Sequence, residues 1–212
     1  MEIIEIIILT FKVSGCALIC SIVLGGGLGF FVALNNFTGK KQAIAIINTG
    51  MGLPPVVVGL LVLLFLWRGG PLGFMELIYT PIAMVIAQII LATPIIAGLT
   101  MAAIQAVPEK MKWQAAALGA RGWNLVWLLA KETKSSLLAA VMAGFGGIIS
   151  EVGAVMMVGG NIRGQTRVLT TSIVLESQKG NINQAIILGL VLITLSFSVN
   201  CCLTLIQQRA RK

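Results

Sequence analysis

The sequence predicts an all-α integral membrane protein with about five transmembrane helices, and three observations carry that prediction. Apolar residues make up 58% of the 212 residues and charged ones only 10%, against roughly 25% charged in soluble domains. The apolar residues gather into five long runs that are almost free of charge. Between the third and fourth runs lies one stretch, 108–134, that is both basic and aromatic, as a membrane-surface segment is.

The first run, 13–34, holds about 22 uncharged residues, enough at about 1.5 Å per residue for a helix to cross a ~30 Å hydrocarbon layer. Its length and the acidic start before it argue for a retained span and against a secretory signal. Gly25, Gly26, Gly27 and Gly29 let another helix come close in lipid. A phosphate-cradling loop would end in Gly-Lys-Ser/Thr, which occurs nowhere in the chain, so the chain is not its own P-loop ATPase. After Lys40 and Lys41 comes the second run, 43–66, interrupted by Pro54 and Pro55. Broken backbone at membrane depth is tolerated beside protein or a water-filled cavity, so these prolines either line a pathway or merely kink a helix.

The third run, 81–104, contains Thr93-Pro94 and also Gln88, whose amide is expected to bond to a neighbouring helix. In the fourth, 137–158, small residues recur every four positions at Ala139, Ala143 and Gly147 and at Gly146, Ser150 and Ala154. Such stripes mark tight packing, and the first continues to Glu151, which should therefore face protein. The fifth run is 184–206, and one domain covering 8–207 is expected.

Five of the fifteen basic residues, Lys110, Lys112, Arg121, Lys131 and Lys134, fall within 108–134. They exclude a lipid-spanning helix there, while Trp113, Trp123, Trp127 and Leu129 are too apolar for a solvated linker. Two short amphipathic helices are expected, the first opened by Pro108 and Glu109 and stopped by Gly119, the second starting near Trp123 after the Arg121-Gly122 turn. An odd number of spans puts the termini on opposite sides. With the loop after the first span in the cytoplasm, ten basic residues (40, 41, 110, 112, 121, 131, 134, 209, 211 and 212) lie inside and five (12, 68, 163, 167 and 179) outside. The positive-inside rule selects this orientation, with the N-terminus outside and the C-terminus cytoplasmic.

Glu151 is the acidic residue set inside a span, where an ionised side chain needs a partner or water. It reads as a gate or pathway residue held by Arg163 or Arg167, or as a structural ion pair. Arg163 and Arg167, with Asn161, Thr166, Thr170 and Thr171, make a donor-rich patch that suits a tetrahedral oxyanion, an acidic docking protein, or no ligand at all. Cys16, Cys20, Cys201 and Cys202 lack metal-ligand spacing, the chain has no histidine, and no nucleophile–base set occurs; no metal, cofactor or catalytic site is expected, and the cysteines read as small core residues. The basic residues sit beside apolar spans, which argues against nucleic acid.

Ala115 followed four residues later by Gly119 resembles the EAA loop of binding-protein-dependent ABC importer permeases, although Trp113 and Gln114 stand where that motif has Glu and Ala. The run SEVGAVMMVGGNIRGQTRVLTTSIVLESQKG, 150–180, is similar to the corresponding stretch of tungstate permeases and, more loosely, molybdate ones. The resemblance covers nearly the whole chain and implies the type I (MetI-like) permease architecture. It further implies two copies of the chain around a central pathway in the cell membrane, a cytoplasmic ATPase dimer that holds ATP and Mg, and an extracytoplasmic binding protein delivering tungstate or molybdate. Under it Trp113, Gln114, Ala115, Gly119 and Arg121 couple to the ATPase. An ion-coupled transporter or channel using Glu151 is the reading from another class.

Overall fold

A computed structural model describes the backbone of residues 2–211; Lys212, counted above among the inner basic residues, lies outside them. The chain opens with α1, Glu2–Leu34, followed by α2, Lys40–Met51, and α3, Pro55–Leu66. A short 3-10 turn, Gly73–Met75, leads to α4, Pro81–Gln105. Two short helices follow, α5, Glu109–Ala117, and α6, Trp123–Glu132. The last part holds α7, Lys134–Ile149, α8, Gly153–Gly159, α9, Leu169–Gln178, and α10, Ile182–Arg211.

Among the described residues three helices, α1, α4 and α10, are long and apolar enough to cross a membrane alone. Two broken pairs raise the number to five: α2 and α3 meet at 104°, and α7 and α8 at 54°. The first break follows from Pro54 and Pro55, since proline starts α3 at its first turn, where no amide hydrogen is needed, but cannot continue α2. The expected spans lie within these elements, but α1 begins eleven residues before 13 and takes in Lys12. A charge-free window marks the hydrocarbon, whereas the helix continues into the interface.

The hub is α4, which packs against α1, α2, α3, α7 and α8. It meets α1 through the expected glycines. A Cβ at Gly25 would stand 2.7 Å from the Thr93 carbonyl, and one at Gly29 would stand 2.7 Å from the Ala97 carbonyl and from Thr100. Gly26 and Gly27 face open space instead. On the other flank, Gly59 of α3 lies against the backbone of Ala154 in α8, so the second halves of the two broken spans also touch at backbone distance.

Two expectations are corrected. The face of α7 that is buried within the chain carries Ala140, Gly144 and Ile148, while the first expected stripe, Ala139, Ala143 and Gly147, is exposed; of the second, Ser150 is exposed, Gly146 half-buried and Ala154 buried. Four-residue spacing identified a face but not which of two adjacent stripes the chain itself covers. The cysteines, likewise, all lie on exposed faces of α1 and α10.

Gly29→Val should lower the thermal stability of the purified chain by about 1–3 kcal/mol through overpacking against α4, while Gly26→Ala should leave it unchanged. Equal melting temperatures for the two variants in detergent would contradict the assigned contact.

Candidate functional site

The two breaks lie side by side against the middle of α4. Between them is a cavity of 120 Å³ lined by Gly50, Leu53, Pro55, Gln88, Gly147 and Glu151, among others. Pro94, inside α4, packs against Gly50, where a Cβ would stand 2.7 Å from its ring. Pro54 and Pro55 are exposed within this chain, and Pro94 is half-buried.

Helix ends inside a membrane leave amides and carbonyls that water cannot reach, and each must find a partner in the protein. At the second break, the Glu151 carboxylate accepts a hydrogen bond from the Ala154 amide at 2.7 Å, satisfying one of the first donors of α8. The buried Gln88 amide of α4 donates to the Ile148 carbonyl near the end of α7 at 3.3 Å, as its place in an apolar run led us to expect. The Thr170 hydroxyl donates to the Glu151 carbonyl at 3.0 Å. Glu151 is thus held by its own chain's backbone, and the expected pairing with Arg163 or Arg167 is not what the structure shows: those arginines line other cavities. Sequence nearness suggested the pair; the intervening helix α8 carries the arginines away.

Arg163 and Arg167 line a cavity of 630 Å³ with Ile3, Ile6, Ser172, Glu176, Lys179 and Asn181, among others. A neighbouring cavity of 230 Å³ adds Glu5 and Lys12. Asn161 takes a left-handed backbone at φ 51, its amide donates to the Thr171 carbonyl at 3.4 Å, and Arg167 donates to the Asn161 carbonyl at 3.4 Å. Thr166 is fully buried; its hydroxyl donates to the Gly159 carbonyl at 2.5 Å and accepts from the Ile162 amide at 2.9 Å, leaving no donor for an anion. Thr171 is buried as well, accepting from the Val168 amide at 3.1 Å. The hydroxyls shape the loop that presents the arginines. Lys179 donates to Glu176 at 2.7 Å and Asn181 donates to it at 2.9 Å. The bond from Lys179 above all, then that from Asn181, holds the Glu176 carboxyl below the usual carboxylate range.

Sequence reasoning missed Thr10. From inside α1 its hydroxyl accepts from the Leu169 amide at 3.0 Å and donates to the Ile6 carbonyl at 2.7 Å, so α1 supplies the cap for the start of α9. A lone threonine in an apolar run was the available signal.

At the other end of α1, residues Phe30, Ala33 and Leu34 pack with Ile104, Val107, Met111, Leu125 and Leu129, seating α5 and α6. Ile6 and Phe30 stand about 36 Å apart at 1.5 Å per helical residue, so the arginine cavity and the α5–α6 pair lie at opposite ends of the molecule. Helix α5 begins and ends where the sequence placed it and α6 begins at Trp123 as expected, but α6 stops at Glu132 and α7 starts afresh at Lys134. Gly119 adopts φ +83, and the Ala120 amide donates to the Ala115 carbonyl at 2.9 Å, the six-to-one bond that closes a helix after a left-handed glycine. Ala115 is buried, whereas Gln114 and Arg121 are exposed. Trp113, Leu118 and Trp123 are 72%, 89% and 77% exposed, a largely apolar surface. The Trp113 indole donates to Glu109 at 3.3 Å.

Residues 25–212 match the family described as the binding-protein-dependent transport system inner membrane component. The chain belongs to that family. It is an ABC importer permease, a multi-pass membrane subunit in a family whose ATPase is a separate polypeptide. It is 40% identical over 207 residues to the tungstate uptake system permease protein TupB of Peptoclostridium acidaminophilum, covering 98% of this chain and 91% of that one. It is 42% identical over 193 residues to a probable anion ABC transporter permease protein of Haloferax volcanii, covering 89% and 83%. The permease fold of the MetNI methionine ABC transporter in an inward-facing conformation superposes with a TM-score of 0.75 at 14% identity, covering 99% of this chain and 96% of that one.

Two outcomes test this permease's geometry. Glu151→Ala should lower thermal stability by about 1 kcal/mol, the usual worth of a helix-capping acceptor, whereas Glu151→Gln, which keeps an acceptor, should lose much less; equal losses would restore an ion pair as the explanation. Because the Glu176 pKa is depressed on folding, its contribution is present above the ordinary carboxylate pKa and is lost as pH falls through the folded value. The melting-temperature gap between the parent and Glu176→Gln should therefore close on acidification; a gap independent of pH would contradict the clasp.

Proposed function

We propose that this chain is the membrane-spanning subunit of a tungstate importer, with molybdate as the second candidate substrate. The observation that carries this reading is the 40% identity to a tungstate uptake permease over 98% of the chain. The cationic cavity of Arg163, Arg167 and Lys179, at the end of the molecule opposite α5 and α6, fits it chemically, since guanidinium and ammonium donors suit a tetrahedral oxyanion. Two copies of the chain, one permease domain each, enclose the pathway. A binding protein docks on the face carrying Arg163 and Arg167, which lies outside the cell together with the N-terminus. The C-terminus, α5 and α6 face the cytoplasm, where a pair of ATPases holding ATP and Mg grips the exposed surface of Trp113, Leu118 and Trp123, with Gln114 and Arg121 beside it. No cofactor or catalytic group is assigned to this chain.

Glu151 with Pro54, Pro55 and Pro94 forms the gate in this reading. The broken spans converge at their cavity, which the Glu151 side chain lines and narrows while the junction is shut. Closure of the ATPases draws the α5–α6 pairs of the two copies together. Since α6 runs into α7 at Thr133, that movement reaches the α7–α8 break and changes the width of the junction.

The test is uptake by proteoliposomes containing the permease, its ATPase and its binding protein, with tungstate, molybdate and sulfate in competition. Tungstate should be accumulated in preference to the other two, and only with ATP. Selective uptake of sulfate would overturn the assignment. Gly119→Val places a β-branched residue at φ +83 and should leave the complex assembled and hydrolysing ATP while uptake falls at least about tenfold; normal uptake would show that α5 is not the coupling contact.

A further inference from the structure

One cavity that the transport reading leaves unused is an apolar groove of 680 Å³ along the end of the molecule that carries α5 and α6. Its walls are Gly26 and Gly27 of α1, Trp127 of α6, and Leu137 and Val141 of α7, over Ile96 of α4. Gly26 and Gly27 leave the α1 wall open between Val23 and Phe30: a Cβ built at either glycine would meet nothing within 4 Å. The space falls within the roughly 300–1,000 Å³ that protein pockets devote to one small molecule.

We propose that this groove holds an acyl chain of an anionic phospholipid. It runs along α1 and α7, elements of membrane spans, so hydrocarbon is the surrounding medium at that depth. At one end it opens beside the exposed rings of Trp123 and Trp127, the residue type that settles at the level of lipid headgroups. Lys131 lies there with its ammonium 5.4 Å from the centre of the Trp127 ring, and Lys134 begins α7 three residues later. Glu132 lies between them, and the rim remains net positive. An apolar slot ending at an aromatic belt and a cationic rim is complementary to a lipid tail below an anionic phosphate, and less so to a zwitterionic headgroup that brings its own cation. The bound lipid would brace α6 against α1 and α7 beside the cluster in which Phe30, Ala33 and Leu34 already pack with Leu125 and Leu129.

The experiment uses the full-length chain with Trp67→Phe and Trp113→Phe, leaving Trp123 and Trp127 as reporters, in nanodiscs doped with acyl-brominated phosphatidylglycerol or phosphatidylcholine. Brominated phosphatidylglycerol should reach half-maximal quenching at about fivefold lower mole fraction, the factor expected of one basic residue at an anionic surface. Lys131→Gln should bring the two lipids to parity, and Gly27→Leu, which fills the groove, should weaken quenching by both. Equal quenching by the two lipids in the unaltered groove overturns the proposal. So does the absence of quenching by either, the result expected where a second protein chain covers the groove. Should Gly27→Leu fail to insert, the headgroup comparison and Lys131→Gln still decide.

Discussion

The constraint on which this structure depends is the need to satisfy backbone groups where a helix is interrupted at membrane depth. The first break closes on itself through local turns, Gly52 to Thr49 and Leu53 to Gly50, whereas the second draws partners from other elements: Glu151 for an amide of α8, Gln88 for a carbonyl of α7, and Thr170 to fasten the interrupted segment to α9. Once those partners are fixed, much else follows. The Gln88 bond requires α4 to lie within hydrogen-bonding distance of the break, which fits its position as hub, and the Thr170 bond requires α9 to fold back over the break instead of extending into solvent. Thr10 then secures α9 to α1.

The same constraint explains what the sequence disclosed and what it withheld. Proline and glycine act through the local backbone, so Pro54-Pro55, Pro108 and Gly119 marked the first break and both ends of α5 without knowledge of the neighbours. Of the α1 glycines read as packing positions, Gly25 and Gly29 meet α4 while Gly26 and Gly27 face open space, a distinction that depends on the neighbouring helix. The second break carries no proline; it falls at Ser150-Glu151-Val152 and is stabilised by residues sixty and nineteen positions away in sequence. Nothing local announces it, and a continuous span over 137–158 was the natural expectation. Glu151 was legible as a group needing a partner, but an arginine of nearby sequence was the wrong inference, because a backbone amide satisfies a carboxylate as well as a cation does.

Charge is distributed to match. At one end, arginines and a lysine line a wide cavity in which Glu176 is clasped by Lys179 and Asn181; at the other, aromatic and leucine side chains are presented on short helices beside Lys110, Lys112, Arg121, Lys131 and Lys134. The composition alone, net charge +8, conveys neither the separation nor its sense. Helix α1, reaching from one end to the other, makes the two ends a single mechanical object.

The contact of Gly25 and Gly29 with α4 also limits where the molecule can flex. Two helices meeting backbone to backbone have no side-chain slack between them, so sliding one past the other would bring main-chain atoms into collision. Helices α1 and α4 therefore form a stator, a fixed frame. The degrees of freedom are left to the hinged spans on α4's other flanks, and because α3 and α8 touch through Gly59 and Ala154, a rotation at either hinge is transmitted to the other.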